Sequence, residues 1–414
     1  MGSAATVANV PEILKNVWKD DIYDFMYEDQ PLLGLMSKDT SWDGLYQIVT
    51  VMYGGMAGRS STFDDSKANK SPPKYKQMQI GTRDNFATWS VDHKLITLSR
   101  NDRGALTRAL TESTEKATTK LKRSLCWMLW RNGGGAIGSF STSSTNTGTL
   151  YDLNDIRNLD LDDVIEFSSD DGTGGAGVRV GSLTVTGLNE DTGVVTFDAN
   201  LSSIPGYTNG DFIFHKGDYA KAFLGVPAYV TLAAPGSSGV PTSLWGMSRT
   251  DFPTRLAGSR FTASNLLISE GCKKSLALAH RRNIETTHMF APPEVYNDLE
   301  MSLQGQRRYT EEKVGSVGYQ ALNFTTQGGK SVKLYSDADI PKNATATTKY
   351  IWGLNLDLFK FHTADTFPMW LNTVANGGQK MRVEENANAS EGRLGGYGQP
   401  YTWAPGQHWN LAIT

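Results

Sequence analysis

The chain has 414 residues, with 40 Lys and Arg against 43 Asp and Glu, 42 Gly and 2 Cys. Its 39% apolar and 10% aromatic content is enough to build a core and excludes a disordered chain. Cys126 and Cys272 cannot form a disulfide framework and lack zinc-site spacing, so a reducing compartment is expected. The opening MGSAATVANVPEILKNVWKDD has no basic start followed by an apolar run, so it does not read as a signal peptide. No window approaches the ~18 apolar residues of a membrane span.

The net charge of −3 conceals strong local imbalance. Residues 100–131 carry eight bases and three acids, and 246–282 carry seven bases and two acids. Residues 150–218 carry thirteen acids and three bases, and 1–50 carry eight acids and three lysines. Such asymmetry predicts faces that meet different partners.

In chain order, Pro11 can open a short helix with Ile13, Leu14, Val17 and Trp18 on one face, and Pro31 stops any continuation. Residues 42–53 read as a strand. Residues 54–76 are small and polar, an exposed excursion with little core, and 77–91 read as the returning strand. Together they predict a long projecting hairpin, which is marginal in water without a surface to lie on. Residues 99–131 predict a long helix capped by Ser99 and ended by Gly133-Gly134-Gly135. Leu106, Leu110, Ala117, Leu121, Leu125 and Met128 form its apolar arc, and Arg108, Lys116, Lys120, Lys122 and Arg123 fall opposite.

Residues 136–149 read as a Gly/Ser/Thr linker. Short alternating segments at 163–168, 178–186, 193–198 and 211–215 then predict a small all-β module, barrel- or sandwich-like and flanked as an inserted domain. Residues 263–282 predict a helix with Leu266, Leu267, Leu276 and Ala279 as core. A strand at 286–290 and a helix at 293–304 follow, the latter started by Pro292-Pro293. From 332 onward the chain reads as strands, and a phase flip at Phe359 within 349–362 predicts a β-bulge.

Recognisable catalytic patterns fail on context. GGGAIG at 133–138 follows a helix instead of a strand, and QGGKS at 327–331 lacks the first glycine of a phosphate loop. His280, Glu285 and His288 do not have the order of a zinc helix. Asp162-Asp163 and Glu384-Glu385 read as surface acids, and the 10 Trp as core or interface anchors. No catalytic residue, metal site or cofactor is expected.

Several stretches resemble the major capsid proteins of tailed bacteriophages. These are LLGLMSKD (32–39), MFAPPEVYNDLEMSL (289–303), KLYSDADIPKN (333–343) and KYIWGLNLDLFKFH (349–362), set in the order arm, hairpin, long helix, β insertion, α/β unit and final strands. The resemblance implies an α+β capsid fold with a long spine helix, an extended β-hairpin E-loop and an inserted small all-β domain. It divides the chain into an N-arm (1–40), E-loop (41–92), peripheral-domain spine helix (93–135), linkers and β insertion (136–245), axial domain (246–345) and C-terminal peripheral strands (346–414). The β insertion is a departure that not all members share.

The implied function is a virion shell protein, present in the host cytoplasm before assembly and building an icosahedral head around double-stranded DNA. Its implied partners are itself, as hexamers and pentamers, the packaged DNA contacted non-specifically, a separate scaffolding protein, a portal and a decoration protein, with no membrane. Arg108, Lys116, Lys120, Lys122 and Arg123 become candidate inner-face residues, with the acidic module projecting outward. Arg59, Phe63, Asp64, Asp65, Lys67 and Lys70 become candidate inter-subunit residues of the E-loop. Two other readings stay open: a carbohydrate-binding or carbohydrate-active protein with a β accessory module, and another virion protein such as a tail-tube subunit.

Overall fold

A computed structural model describes residues 30–94, 103–237, 239–264, 266–303, 321–326, 328–341, 348–371, 381–384 and 387–414. The helix expected from Pro11, the Ser99 cap and the side chains of Leu106, Arg108 and Leu110 lie outside the described residues.

The short helix α1 (Pro31–Leu35) has proline in its first turn, where a missing N–H forfeits no helical bond, and it buries Leu32 and Leu33. After β1 (Lys38–Asp39), β2 (Tyr46–Gly54) runs out to helix α2 (Phe63–Ala68), and β3 (Lys74–Gly81) returns. Tyr46 faces Gly81 and Gly54 faces Lys74 across this antiparallel pair. The returning limb differs from the 77–91 strand expected from sequence. β3 stays with β2, whereas β4 (Arg83–Asp92) crosses into another sheet and pairs with 389–398. Both stretches alternate with period two, and alternation does not say which sheet a strand joins.

Helix α3 (Arg103–Leu129) buries Leu121, Leu125 and Met128 as its pattern demands. Every residue from Leu125 to Trp130 is buried, so the end of the helix is enclosed on all sides.

A closed six-stranded barrel follows. Its strands are β5 (Gly138–Ser143), β6 (Thr147–Leu150), β7 (Val164–Ser168), β8 (Leu183–Asn189), β9 (Val194–Phe197) and β10 (Phe212–His215), in the order β10-β5-β6-β9-β8-β7. Phe140, Phe167 and Phe197 meet at its centre with ring centroids 5.9–6.4 Å apart. The expected 136–149 linker is therefore corrected, because β5 and β6 come from it. Across 136–150 the buried apolar side chains are Ile137, Phe140 and Leu150, set among Gly, Ser, Thr and Asn. The strand expected over 178–186 begins at Leu183.

The glycines at 133–135 are likewise more than a linker. A Cβ at Gly134 would lie 1.8 Å from the Asp171 carbonyl oxygen, and one at Gly135 would lie 2.3 Å from that of Asp218. The Ala220 N–H donates to the Gly134 carbonyl at 2.8 Å, and the Gly225 N–H donates to Arg131 at 3.1 Å. The chains entering and leaving the barrel thus press against each other as a tight neck.

Helix α4 (Val226–Tyr229) and the small pair β11 (Ser243–Leu244) and β12 (Met247–Ser248) lead to β13 (Ser259–Ala263), α5 (Ile268–Arg281), β14 (His288–Ala291) and α6 (Pro293–Leu303). The remaining strands are β15 (Ala321–Thr325), β16 (Ser331–Ser336), β17 (Lys349–Leu354), β18 (Phe359–Thr363), β19 (Met369–Trp370), β20 (Met381–Val383), β21 (Ala389–Thr402) and β22 (Trp409–Ile413). A mixed sheet runs β13-β22-β17-β14-β16-β15. One face supplies Met289, Leu334, Ile351 and Leu411 to a core shared with Leu276, Val295 and Leu299 of α5 and α6. The other face supplies Phe290, Tyr335 and Trp352 to the larger core that holds Trp130. Leu276 and Ala279 are buried as expected, but Leu267 is 60% exposed because it is the residue that caps α5.

The second sheet runs β1-β18-β21-β19, with β4 and β20 also paired to β21. Residues 349–362 are therefore not one bulged strand. β17 belongs to the first sheet and β18 to the second, and the phase flip marks the passage between them.

Gly353 pairs directly with Trp409, and a Cβ there would lie 2.0 Å from the indole. The Trp409 Nε1–H donates to Thr286 Oγ1 at 2.8 Å, which holds the ring in place. Gly353→Ala is expected to cost ~1–3 kcal/mol in chemical denaturation, as overpacked cores do. Gly55→Ala, where a methyl meets nothing within 4 Å, should change stability by less than about 0.5 kcal/mol.

Candidate assembly surfaces

The hairpin of β2 and β3 has two different faces. Val49 and Val51 pack towards the body with the fully buried Met78 and Ile80. The Tyr401 hydroxyl donates to Gln47 Oε1 at 2.7 Å and ties this face to β21. On the other face Tyr46, Ile48, Met52 and Tyr75 are each between 56% and 60% exposed. Scattered exposed apolar residues are ordinary, but a row along one face of a two-stranded ribbon is a contiguous apolar patch.

The tip adds Met56 and Phe63, exposed at 78% and 79%. Helix α2 buries none of its residues. Its turn is held by polar contacts, with the Ser66 hydroxyl donating to the Gly58 carbonyl and the Thr62 hydroxyl to Asp65. Arg59, Phe63, Lys67 and Lys70 surround one shallow concavity, while Asp64 and Asp65 stand in the first turn of α2. All six residues singled out from the sequence are exposed. The row Tyr46–Ile48–Met52–Tyr75 was not singled out. Its alternation is visible in the sequence, but which face the body covers is not.

Of the candidate basic residues of α3 with described side chains, Lys116, Lys120 and Arg123 are exposed and Lys122 is buried. Lys120 forms an ion pair with Asp163 of the barrel, and Arg123 lies 3.7 Å from Asp160. Lys122 is only 9% exposed and does not share an open basic face. It continues a buried row with Thr114 and Thr118, spaced four residues apart, whose polar members do not register in an apolar pattern. Lys116 is exposed and forms no ion pair among the described residues. Beyond the helix, Arg131 pairs with the buried Asp155. Three acids of the module, Asp163, Asp160 and Asp155, thus sit against the basic helix and the turn that follows it.

The residues near α5 do not assemble a metal site. Glu285 pairs with Lys330, and His288 stacks on Tyr335 with centroids 5.9 Å apart. Among the described residues no group of three His, Cys, Asp or Glu could hold an ion.

No family model and no curated protein matches the chain. A solved structure, the capsid asymmetric unit of cyanophage A-1(L), is similar over 92% of each chain, with 11% identity and a TM-score of 0.50. The chain has the tailed-phage major capsid fold. Gordonia phage Cozz aligns over 93% of this chain and 87% of its own at 10% identity, with a TM-score of 0.42. The mature capsid of bacteriophage PhiM1 aligns over 91% and 85% at 10% identity, with a TM-score of 0.41. The assignment of the capsid fold rests on the first of these.

Within this capsid fold, buried carboxylates sit where the strand-turn at 331–341 meets the barrel and α3. Arg157, beside the barrel, pairs with Asp339. Asp337 is almost fully enclosed, accepts the Asp339 N–H at 3.0 Å, and burial pushes its carboxyl up to about 6. Burial likewise pushes Asp155 up to about 6, against the opposing pull of Arg131. A carboxyl raised in the folded state contributes stability that is complete below an unfolded value of about 3.9 and is lost as pH rises through about 6. Asp337→Asn should therefore flatten the stability–pH profile between about pH 4 and 6. It should leave the variant up to ~2–3 kcal/mol more stable than the parent near pH 8, with the two converging near pH 4. Denaturant midpoints across this range check it, and parallel profiles would contradict it.

Proposed function

We propose that this protein is the major capsid subunit of a tailed bacteriophage, assembling into an icosahedral head that encloses double-stranded DNA. The observation that carries this reading is the projecting hairpin, which presents an unpaired apolar face and a self-folded polar tip on a capsid-type fold. Such a ribbon is marginal alone and gains order by lying on a neighbour. Repetition of one contact around a closed shell adds many weak interactions without requiring any one to be strong.

On this reading residues 1–40 form the N-arm, 41–92 the E-loop, and 93–135 the spine-helix part of the peripheral domain. Residues 136–245 hold the inserted β domain, 246–345 the axial domain, and 346–414 the returning peripheral strands. Arg59, Phe63, Asp64, Asp65, Lys67 and Lys70 contact a neighbouring subunit, assisted by the outer row of β2 and β3. The protein acts structurally and not as an enzyme. It is found in the virion, passes through the host cytoplasm before assembly, and works with a separate scaffolding protein, a portal and a decoration protein.

Negative-stain microscopy of the expressed protein, alone and with a scaffolding protein, tests the function. Closed shells are expected, whereas helical tubes or a glycan-binding monomer would overturn it. Deleting residues 58–72 should leave a folded monomer with an unchanged far-UV spectrum that builds no closed shells. The triple variant Ile48→Ser, Met52→Ser, Tyr75→Ser should do the same, since these side chains are already exposed in the monomer. Normal particles from either protein would remove the hairpin from the assembly surface.

A further inference from the structure

The second basic segment of the chain has a different fate from the first. Helix α5 buries Cys272, Ser275, Leu276 and Ala279 against the sheet. Lys273, Lys274 and Arg281 are all exposed. At 3.6 residues per turn they fall within an arc of roughly 100° around Ala277, opposite the buried side. Glu270 is the one acidic residue on that arc. None of the three cations forms an ion pair among the described residues. Neighbouring charges are otherwise occupied: Glu285 by Lys330, and Asp298 of α6 by Lys349. Arg282 donates to Ser259 Oγ at 3.1 Å and lies over the Phe261 ring at 5.1 Å.

This contrasts with α3, where Lys120 and Arg123 face barrel carboxylates and Lys122 is buried. Among the described residues of the two basic helices, exposed cations without an ion pair are Lys116 on α3 and the group Lys273, Lys274 and Arg281 on α5. We propose that the exposed face of α5, through Lys273, Lys274 and Arg281, is the surface on which this subunit contacts the phosphate backbone of duplex DNA. The identity of the partner rests on the capsid reading above. Two lysines on flexible stems offer mobile point charges with no pocket and no fixed fork, which suits phosphates contacted without sequence readout. The barrel of a second copy also carries exposed acids, Asp162, Glu190, Asp191 and Asp198, so contact between copies is the outcome that the shell readout below separates from duplex binding.

The test uses the 414-residue chain and a fluorescent random-sequence 20-base-pair duplex, titrated by anisotropy at several salt concentrations between about 50 and 200 mM. The parent is compared with the triple variant Lys273→Gln, Lys274→Gln, Arg281→Gln and with the triple variant Lys116→Gln, Lys120→Gln, Arg123→Gln. Thermal melts and microscopy of particles are recorded on the same samples. The α5 variant should keep its melting temperature and its shells. Its plot of log affinity against log salt should become shallower by roughly 2–3, near the 0.9 expected per lost phosphate contact. The α3 variant should change that slope by less than about one.

An unchanged slope in the α5 variant, or an equal loss in the α3 variant, overturns the proposal. So does a parent protein that binds no duplex, an outcome that leaves the shell-forming reading standing. Loss of shells with duplex binding intact reassigns the face to a contact between copies and also overturns it. A parent that binds duplex through α5 but never forms shells upholds this proposal and fails the capsid reading, so the two failures are distinct.

Discussion

The barrel and both large sheets of this chain meet at the enclosed end of α3. A helix apolar on one face can rest on a sheet, but residues 125–130 are buried all round, so something must cover each side. Trp130 meets Phe290 at 5.6 Å and Trp352 at 6.2 Å, which brings in the sheet of β13 to β22. The chain leaving the barrel closes another side, since a Cβ at Gly225 would lie 2.2 Å from the Leu129 carbonyl oxygen. β4 and β21 pack along the same helix. Each large apolar side chain buried here contributes ~1.5–3 kcal/mol, comparable together with the whole stability of an ordinary domain. The barrel, the mixed sheet and the second sheet therefore meet at one packed junction, and the barrel is mounted firmly instead of being tethered by a loose linker.

That mounting reorganises the electrostatics. In the sequence the basic segment 100–131 and the acidic segment 150–218 look like separate surfaces. In space they are adjacent, and Lys120, Arg123 and Arg131 face Asp163, Asp160 and Asp155. The exposed Arg123–Asp160 pair contributes little stability, about 0–1 kcal/mol. Asp163 and Asp155 are both buried, and there the separation of the partners would leave a buried charge. The larger consequence is for outside partners, because charge neutralised within the subunit is not offered to them. A −3 protein can still present a cationic helix, since its acids are occupied elsewhere or sit on the barrel.

How far this was legible in the sequence depends on what carried the signal. Helix α3, helices α5 and α6, most barrel strands and the projecting hairpin follow from apolar spacing, and the order of parts pointed to the capsid fold. The failures share one cause, which is that local period does not encode the partner. Residues 136–149 have few apolar side chains and resemble a linker, yet Phe140 and Leu150 suffice once a barrel supplies the other wall. Residues 349–362 alternate in two phases because they serve two sheets. Lys122 sits in a buried row whose other members are threonines, invisible to a hydrophobic pattern. The exposure of the six tip residues was legible because 54–76 is small and polar, with little to bury. The apolar row beside them was missed because exposure of Ile48 and Met52 depends on which face Met78 and Ile80 turn inward.

The hairpin shows how these constraints combine in the proposed role. Its base is anchored by Met78, Ile80 and the Tyr401–Gln47 hydrogen bond, so the ribbon leaves the body in a defined direction before any neighbour is present. Its outer row and tip gain nothing further from the subunit's own core. A neighbour covering four half-exposed side chains would return on the order of a few kcal/mol, less the cost of ordering the tip. A single such contact would be weak and reversible, which lets misplaced subunits leave. Once each hairpin is both covering and covered around a closed surface, dissociation requires several contacts to break together. A ribbon that is pre-aimed but incompletely buried therefore permits correction during assembly and persistence afterwards, without a disulfide and with both cysteines buried.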